Sequence, residues 1–544
     1  MDTDTSTGPG LRAGRREWIG LAVLTLPTLV LALDMSVLYL ASPHLGADLG
    51  PTSSELLWIM DIYGFMIAGF LITMGTLGDR IGRRRLLMIG AFAFGVASIV
   101  AAYASSPLLL ILARALLGVA GATLAPSTLS LISNMFKDAG QRGVAISIWI
   151  SCFMSGMGVG PVVGGVLLEW FWWGAVFLLA VPVMVLLLVV GPKVLPEYRP
   201  AEAGRLDLVS VALSLAGILP TIYGLKLMAE SGFGLVPGLA IVVGVVFAVL
   251  FVRRQHSLED PLLNLKLFSD RSFRSALLII LVSTAAGGGL YLFATQYLQM
   301  VADLPPLKAG FLLIGTAVAS AVGSLIAPSL ARRFRPGHVV AGGLTVAVVG
   351  YLTLAAADAE SGLVMVVVGI TLVFFGAGPM TALSTDMVVG SVPPEKAGSA
   401  ASMSETSTEL GISVGVALLG SLGTAVYRSQ IDGSLPEGLP AKALEQTEDT
   451  LAGATAAAED LSGALSEELL SAAREAFTAG MNVSSLVGAA MVATLAVISA
   501  VAFGRARPTG ESDPEPASGP EPQPEPQLSG KGSAAPAERV GDAD

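Results

Sequence analysis

Residues 24–43 read LTLPTLVLALDMSVLYLASP. About 20 apolar residues in helical form cross the ~30 Å of hydrocarbon in a bilayer, and this run is interrupted by a single carboxylate, Asp34. A charge at the centre of a membrane span costs at least a few kcal/mol and marks a functional position by default. Whether the run is a span is decided by its surroundings. The chain has 544 residues, 53% hydrophobic and only 13% charged, with a mean hydropathy of +0.72. A soluble domain is about 25% charged, so this chain is solvated mainly by lipid. The formal charge of -11 arises largely in two polar segments, not in the apolar runs. One cysteine, Cys152, and three scattered histidines offer neither a disulfide framework nor a metal-ligand pattern. The basic flank before Trp18 lacks a small-residue cleavage site and is followed by more spans, so the first run reads as a retained helix.

Comparable runs recur at 18–41, 55–77, 86–104, 107–132, 142–168, 172–192, 206–227, 235–252, 275–299, 307–330, 338–357, 362–388, 399–426 and 481–504, which predicts fourteen membrane helices. Charge tests the count. With a cytoplasmic N-terminus, the loops on that side include DRIGRRR, KDAGQR, KVLPEYRPAEAGR, ARRFRPG and PPEKAG. The opposite side receives HLGADLGPTSSE, YASSP, LEWFWW, AESGFG, MVADLPP and ADAESG, with no Lys or Arg. Basic residues on one side of every short loop satisfy the positive-inside rule and place both termini in the cytoplasm. GTLGDRIGRRR (75–85) after the second span and APSLARRFRPG (327–337) after the tenth are a weak internal repeat. Repeated halves around a midplane site are a transporter architecture. The expected organisation is a cytoplasmic N-terminus (1–17), a six-helix bundle (18–192), a two-helix insert with its loops (193–274), a second six-helix bundle (275–504) and a tail (505–544). Within the second bundle, 428–480 is an Ala- and Glu-rich outer loop, either short helices in a hairpin or a solvated spacer. The tail, rich in Pro, Glu, Ser and Gly, cannot bury a core and is expected to be disordered.

GTLGDRIGRRRLL (75–87) carries Gly78, Asp79, Arg80, Gly82, Arg83 and Arg84 in an order whose physics is legible: glycines allow a tight turn, and Asp79 can pair with arginine or cap the next helix. GMGVGPVVGG (156–165) places Gly156, Gly160 and Gly164 four residues apart, a small-residue face for close helix contact, with Pro161 and Gly165 beside it and a kink expected at the proline. The first stretch resembles the loop signature of the major facilitator superfamily. The second resembles the fifth-helix motif of its proton-coupled exporters. LDMSVLYLASP (33–43) and WIMDIY (58–63) are similar to signatures of the fourteen-helix drug:proton antiporters, and Asp61 is similar to the Qac-type branch that exports quaternary ammonium compounds, dyes and biguanides. The resemblance covers about Trp18 to Gly165 closely and the C-terminal half in topology. It implies an all-α major facilitator fold, a multi-pass protein of the cytoplasmic membrane, and protons as the coupling ion with no cofactor.

Depth brings the charges together. Asp34 lies about 16 residues, ~24 Å, from the inner end of its span. Asp61 lies ~9 Å below the outer end of the second, and Arg114 sits near the same level in the fourth. An Asp/Asp/Arg cluster would couple its protonation; a static buried ion pair is the plainer alternative. Glu405 and Glu409, one turn apart in SMSETSTELGISVG, share a face of the thirteenth span. Ser402-x-x-Glu405 also fits a capping box, which would put Glu405 at a helix start near water. The tenth span, LLIGTAVASAVGSLIAPS, carries no acid, unlike Qac-type pumps that handle divalent cations. Met35, Tyr39, Trp58, Tyr63, Trp149, Met154 and Met157 are candidates to line a cavity, since aromatic faces attract organic cations and methionine adapts to irregular ligands. The expected activity is proton-driven export of lipophilic cations by a monomer that binds small cationic or amphiphilic molecules, protons and lipid but no nucleic acid. Export of an endogenous amphiphile, lipid or antibiotic is the alternative. A receptor or channel fits the motifs less well, and no nucleophile–base pair, phosphate loop or metal set suggests an enzyme or a metal site.

Overall fold

The computed structural model describes residues 12–502, except 52, 199–206, 232–233, 259–260, 264, 394–395, 437–438, 441–442, 445–446, 449 and 462. The expected disordered tail, 505–544, lies outside the described residues. Among those described, fourteen helices are long and apolar enough to cross a membrane. They are α1 (Arg15–Leu49), α2 (Ser53–Ile81), α3 (Arg83–Ala102), α4 (Pro107–Met135), α5 (Ala139–Trp170), α6 (Ala180–Val194, which spans together with the short helix Ala175–Leu178), α7 (Leu208–Ser231), α8 (Leu235–Ser257), α9 (Arg271–Gln296), α10 (Pro306–Arg333), α11 (Pro336–Ala355), α12 (Leu363–Gly390), α13 (Ala397–Ile431) and α14 (Ala464–Ala502). A short turn, Ala175–Leu178, leads into α6, and a π-helical turn, Tyr297–Val301, extends α9.

Local chemistry sets many of the starts. Ser106 caps α4 by accepting from the Leu109 N–H at 3.3 Å, with Pro107 at the first helical position. Asp138 caps α5 through the Gln141 N–H, and Asp270 caps α9 through the Phe273 N–H, both at 2.8 Å. Each satisfies a donor that the first helical turn leaves orphaned. The outer loop is helical in part: Leu451–Glu459 forms a short helix capped by Thr450, and the segment from Ala464 continues unbroken into α14. Good helix formers such as Ala, Glu and Leu favour that continuation.

The main helix contacts of the first half recur in the second. In the first, α1 packs on α5, α4 and α6, α2 on α4, and α3 on α4 and α6. Adding eight to each number gives the second half: α9 packs on α13, α12 and α14, α10 on α12, and α11 on α12 and α14. The seams between halves obey the same rule, α2 against α13 and α5 against α10.

The insert stands aside from this symmetry. Its α7 and α8 pack closely on each other, and α7 reaches the bundles, touching α2 and α13. Ile218, Leu219 and Ile222 sit on Phe65 and Ala68 of α2, while Leu225 and Met228 sit on Leu410, Val414 and Ala417 of α13. Asp207, just before α7, ties the pair together by accepting from Arg254 Nε at 2.7 Å and Nη2 at 3.0 Å. Those bonds, with two from the hydroxyl and backbone N–H of Ser210, hold the Asp207 carboxyl well below the usual carboxylate range. A depressed folded-state pKa stabilises above the unfolded value of about 3.9 and is lost as pH falls towards the folded one. The tie therefore persists at neutral and mildly acid pH.

Candidate functional site

α1 carries Asp34 into the bundle, where its carboxylate meets Arg114 of α4 at 3.3 Å, with both side chains buried. Arg114 donates its Nε to the Ile59 carbonyl at 2.6 Å and lies 5.1 Å over the Tyr63 ring, so α2 completes its surroundings. Asp61 does not join this pair. It turns to the other side of α2 and pairs with Lys226 of α7. One arginine cannot neutralise two aspartates, and the insert supplies the second base.

Glu405 and Glu409 rise from α13 about 12 and 18 Å beyond its first residue at 1.5 Å per residue. Both are half-buried, and neither is in an ion pair among the described residues. The capping-box alternative is not what forms: the helix begins at Ala397, and Ser402 donates its hydroxyl to the Gly398 carbonyl at 2.6 Å from within it. Glu405 is therefore inside the helix. Tyr63 stands within electrostatic reach of Asp34, Arg114 and Glu409, and Glu409 within reach of Lys226. The sequence Asp34, Arg114, Tyr63, Glu409, Lys226, Asp61 thus forms one run of polar groups from α1 through α4, α2 and α13 to α7.

Below it, at the end bearing the 75–85 loop, the halves are shut. Arg83 is fully buried and pairs with Asp79, Nε to Oδ1 at 2.8 Å. The other oxygen of Asp79 accepts the Ser399 N–H of α13 at 3.0 Å. One carboxylate therefore fastens α2 and α3 to α13. A side chain at Gly398 would run into the Arg83 guanidinium, and one at Gly75 would stand 2.7 Å from Ser402 Cβ. Gly82 makes the turn with φ 109°, a region that favours glycine. Arg84 holds Glu197 at 3.5 Å and the Pro192 and Leu195 carbonyls, and Arg80 is buried near by. The second closure pairs Arg142 of α5 with Asp386 of α12 at 2.7 Å.

The chain matches the profile of the Major Facilitator Superfamily over residues 24–416. It belongs to that family. It is 42% identical over 494 residues to the multidrug efflux pump LfrA of Mycolicibacterium smegmatis, covering 91% of this chain and 98% of that one. It is 32% identical to the methyl viologen resistance protein SmvA of Salmonella typhimurium, over 89% and 97%, and 29% identical to a tetracenomycin C resistance and export protein of Streptomyces glaucescens, over 92% and 95%. A crystal structure of the human organic anion transporter MFSD10 superposes with a TM-score of 0.57 at 16% identity, over 88% and 99%, a likeness of fold. This major facilitator chain is thus a multi-pass membrane protein whose relatives are drug and antibiotic efflux pumps.

In this major facilitator frame the glycine motif of α5 is a contact surface for α1. A side chain at Gly156 would lie 2.6 Å from the Leu29 carbonyl and 2.7 Å from Ala32 Cβ; one at Gly160 would strike Ser36, and one at Gly164 Val37. Asp34 lies between these contacts, so the motif positions it. Gly165 is half-buried on the same helix, and the side chain of Pro161 lies outside the described residues. Gly156→Ala should overpack this seam, at about 1–3 kcal/mol, and lower dye efflux together with thermal stability in detergent. Efflux and melting temperature equal to the wild type's would show that the seam is not tight.

The cavity candidates divide. Met35, Met154 and Met157 are half-buried near the charges' helices, whereas Tyr63 is buried with its hydroxyl unbonded among the described residues. Trp149 is buried and donates to Thr128 at 3.1 Å, a packing role. Trp58 is exposed and stacks on Tyr223 of α7. The side chain of Tyr39 lies outside the described residues. Lys226, Arg142 and Asp386 are the charged residues that sequence reasoning passed over.

Proposed function

We propose that the protein is a proton-coupled antiporter that exports lipophilic, mainly cationic compounds from the cytoplasm, quaternary ammonium compounds, dyes and biguanides among them. The observation that carries this reading is a charge imbalance at the meeting of the halves. Of four carboxylates there, Asp34 and Asp61 pair with the bases Arg114 and Lys226, while Glu405 and Glu409 are in no ion pair among the described residues. In a low-dielectric setting an unpaired carboxylate takes up a proton or a cation. Competition between the two for the same oxygens is enough to couple their flows in opposite directions. The basic loops support a cytoplasmic position for the shut end and both termini; in that orientation the conformation described is closed inwards and takes protons from outside. The name of one relative agrees with this chemistry: methyl viologen, to which SmvA gives resistance, is an organic cation.

The test is ethidium transport in everted vesicles or proteoliposomes under an imposed proton gradient. Ethidium should accumulate against its gradient, and dissipating the proton gradient should stop it. Transport indifferent to that gradient would overturn proton coupling, and no transport of ethidium, benzalkonium or chlorhexidine would favour an endogenous amphiphile, lipid or antibiotic as cargo. Deleting 511–544 should leave efflux unchanged, because that tail supplies none of the charges or seams above; a large loss at normal expression would contradict this.

A further inference from the structure

The two-helix insert places a lysine where a transported cation would be expected to sit. Lys226 pairs with Asp61, and its ammonium lies 5.0 Å over the Phe65 ring. Trp58 and Tyr223 stack beside it at 6.2 Å with their planes within 8°. Its charge also reaches Glu409 across on α13. Carboxylate plus aromatic faces is the chemistry that holds an organic cation.

The lysine is held in a way that suits displacement. Its side chain is about one-third exposed, so packing does not enclose the ammonium. The seat of α7 on α2 is already made by Ile218, Leu219 and Ile222 against Phe65 and Ala68. The backbone beside it is fixed, because a side chain at Gly224 would lie 2.7 Å from the Pro237 carbonyl of α8. Only the flexible stem is free to swing, and a lysine stem carries a compact point charge on four rotatable carbons.

Resting on the reading of the protein as a cation exporter, we propose that Lys226 is a tethered competitor. It occupies the Asp61–Phe65–Trp58–Tyr223 site in the unloaded protein, and a lipophilic organic monocation must displace it to bind there. The insert thereby sets the threshold affinity for cationic cargo and keeps Asp61 neutralised between cycles.

The experiment is equilibrium binding of ethidium, by fluorescence, to the purified full chain in nanodiscs, with tetraphenylphosphonium as a competing ligand. Lys226→Gln should bind ethidium at least about fivefold more tightly, a difference of about 1 kcal/mol, because no tethered cation competes. Lys226→Arg should bind it more weakly, because a guanidinium grips a carboxylate in two places. In Asp61→Asn/Lys226→Gln the gain should vanish. Unchanged or weaker binding in Lys226→Gln, unchanged or tighter binding in Lys226→Arg, or a gain that survives in the double variant each overturns the proposal. If Lys226→Gln does not fold, the arginine variant alone decides it. Failure of the wild type and all variants to bind either cation would sink the cation-exporter reading, and this inference with it.

Discussion

Replacing Asp34 by asparagine is expected to reduce proton-driven ethidium efflux to background, a fall of at least about 100-fold, which is the scale on which loss of a proton-transfer group is felt. The isostere removes charge and almost no volume. Its amide oxygen can still accept from Arg114, and Arg114 keeps its bond to the Ile59 carbonyl at 2.6 Å. What is lost is the neutralising charge, which typically costs about 3–5 kcal/mol when a buried partner is left behind. Here both hydrogen bonds of Arg114 stay, which offsets part of that cost, so the protein should still insert and purify. Everted vesicles with matched amounts of each protein make the comparison. Full activity in Asp34→Asn would show the Asp34–Arg114 pair to be a static brace.

Asp79→Ala should be nearly as severe, for a different reason. Removing that carboxylate leaves Arg83 as a buried, unpaired charge, typically costing about 3–5 kcal/mol, and also frees the Ser399 N–H of α13. Both effects fall on the shut conformation. A difference of about 3 kcal/mol is over a hundredfold in an equilibrium, so the protein should rest with its loop end open. Transport of ethidium, benzalkonium and chlorhexidine should drop alike, by more than about tenfold. In a Cys152→Ser background, Ser402→Cys should be shielded from a soluble thiol reagent when Asp79 is present and react in Asp79→Ala. Loss confined to one substrate, or no change in reactivity, would remove this loop from control of the conformational change.

These two sites were legible to different degrees in the sequence. Hydropathy alone identified fourteen spans, since each run is long enough and the loops alternate in charge. Asp34 and Arg114 could be matched by depth because a helix rises 1.5 Å per residue. Depth, however, says nothing about azimuth. Asp61 lies at a level compatible with Arg114 but faces α7, and its partner is 165 positions away. Lys226 near the end of an apolar run reads as a lysine reaching for the interface, so nothing local announces an ion pair. Asp386 hides in the same way at the end of α12, its partner being Arg142. The capping box at Ser402 failed because the helix already begins at Ala397, upstream of it.

The double seating of α7 ties conformation to the bilayer. A strut fastened to both leaves of a hinge cannot follow both when they part. If α2 and α13 separate, α7 must give up either Phe65 and Ala68 or Leu410, Val414 and Ala417. Within hydrocarbon the vacated face meets no water, only acyl chains about as apolar as the leucines it left. Lipid tails would be the substitute ligand for that face, and how well they fit it would enter the opening equilibrium. The turnover of this chain should therefore respond to acyl-chain length and unsaturation, through a helix that touches neither Asp34 nor the Asp79–Arg83 lock.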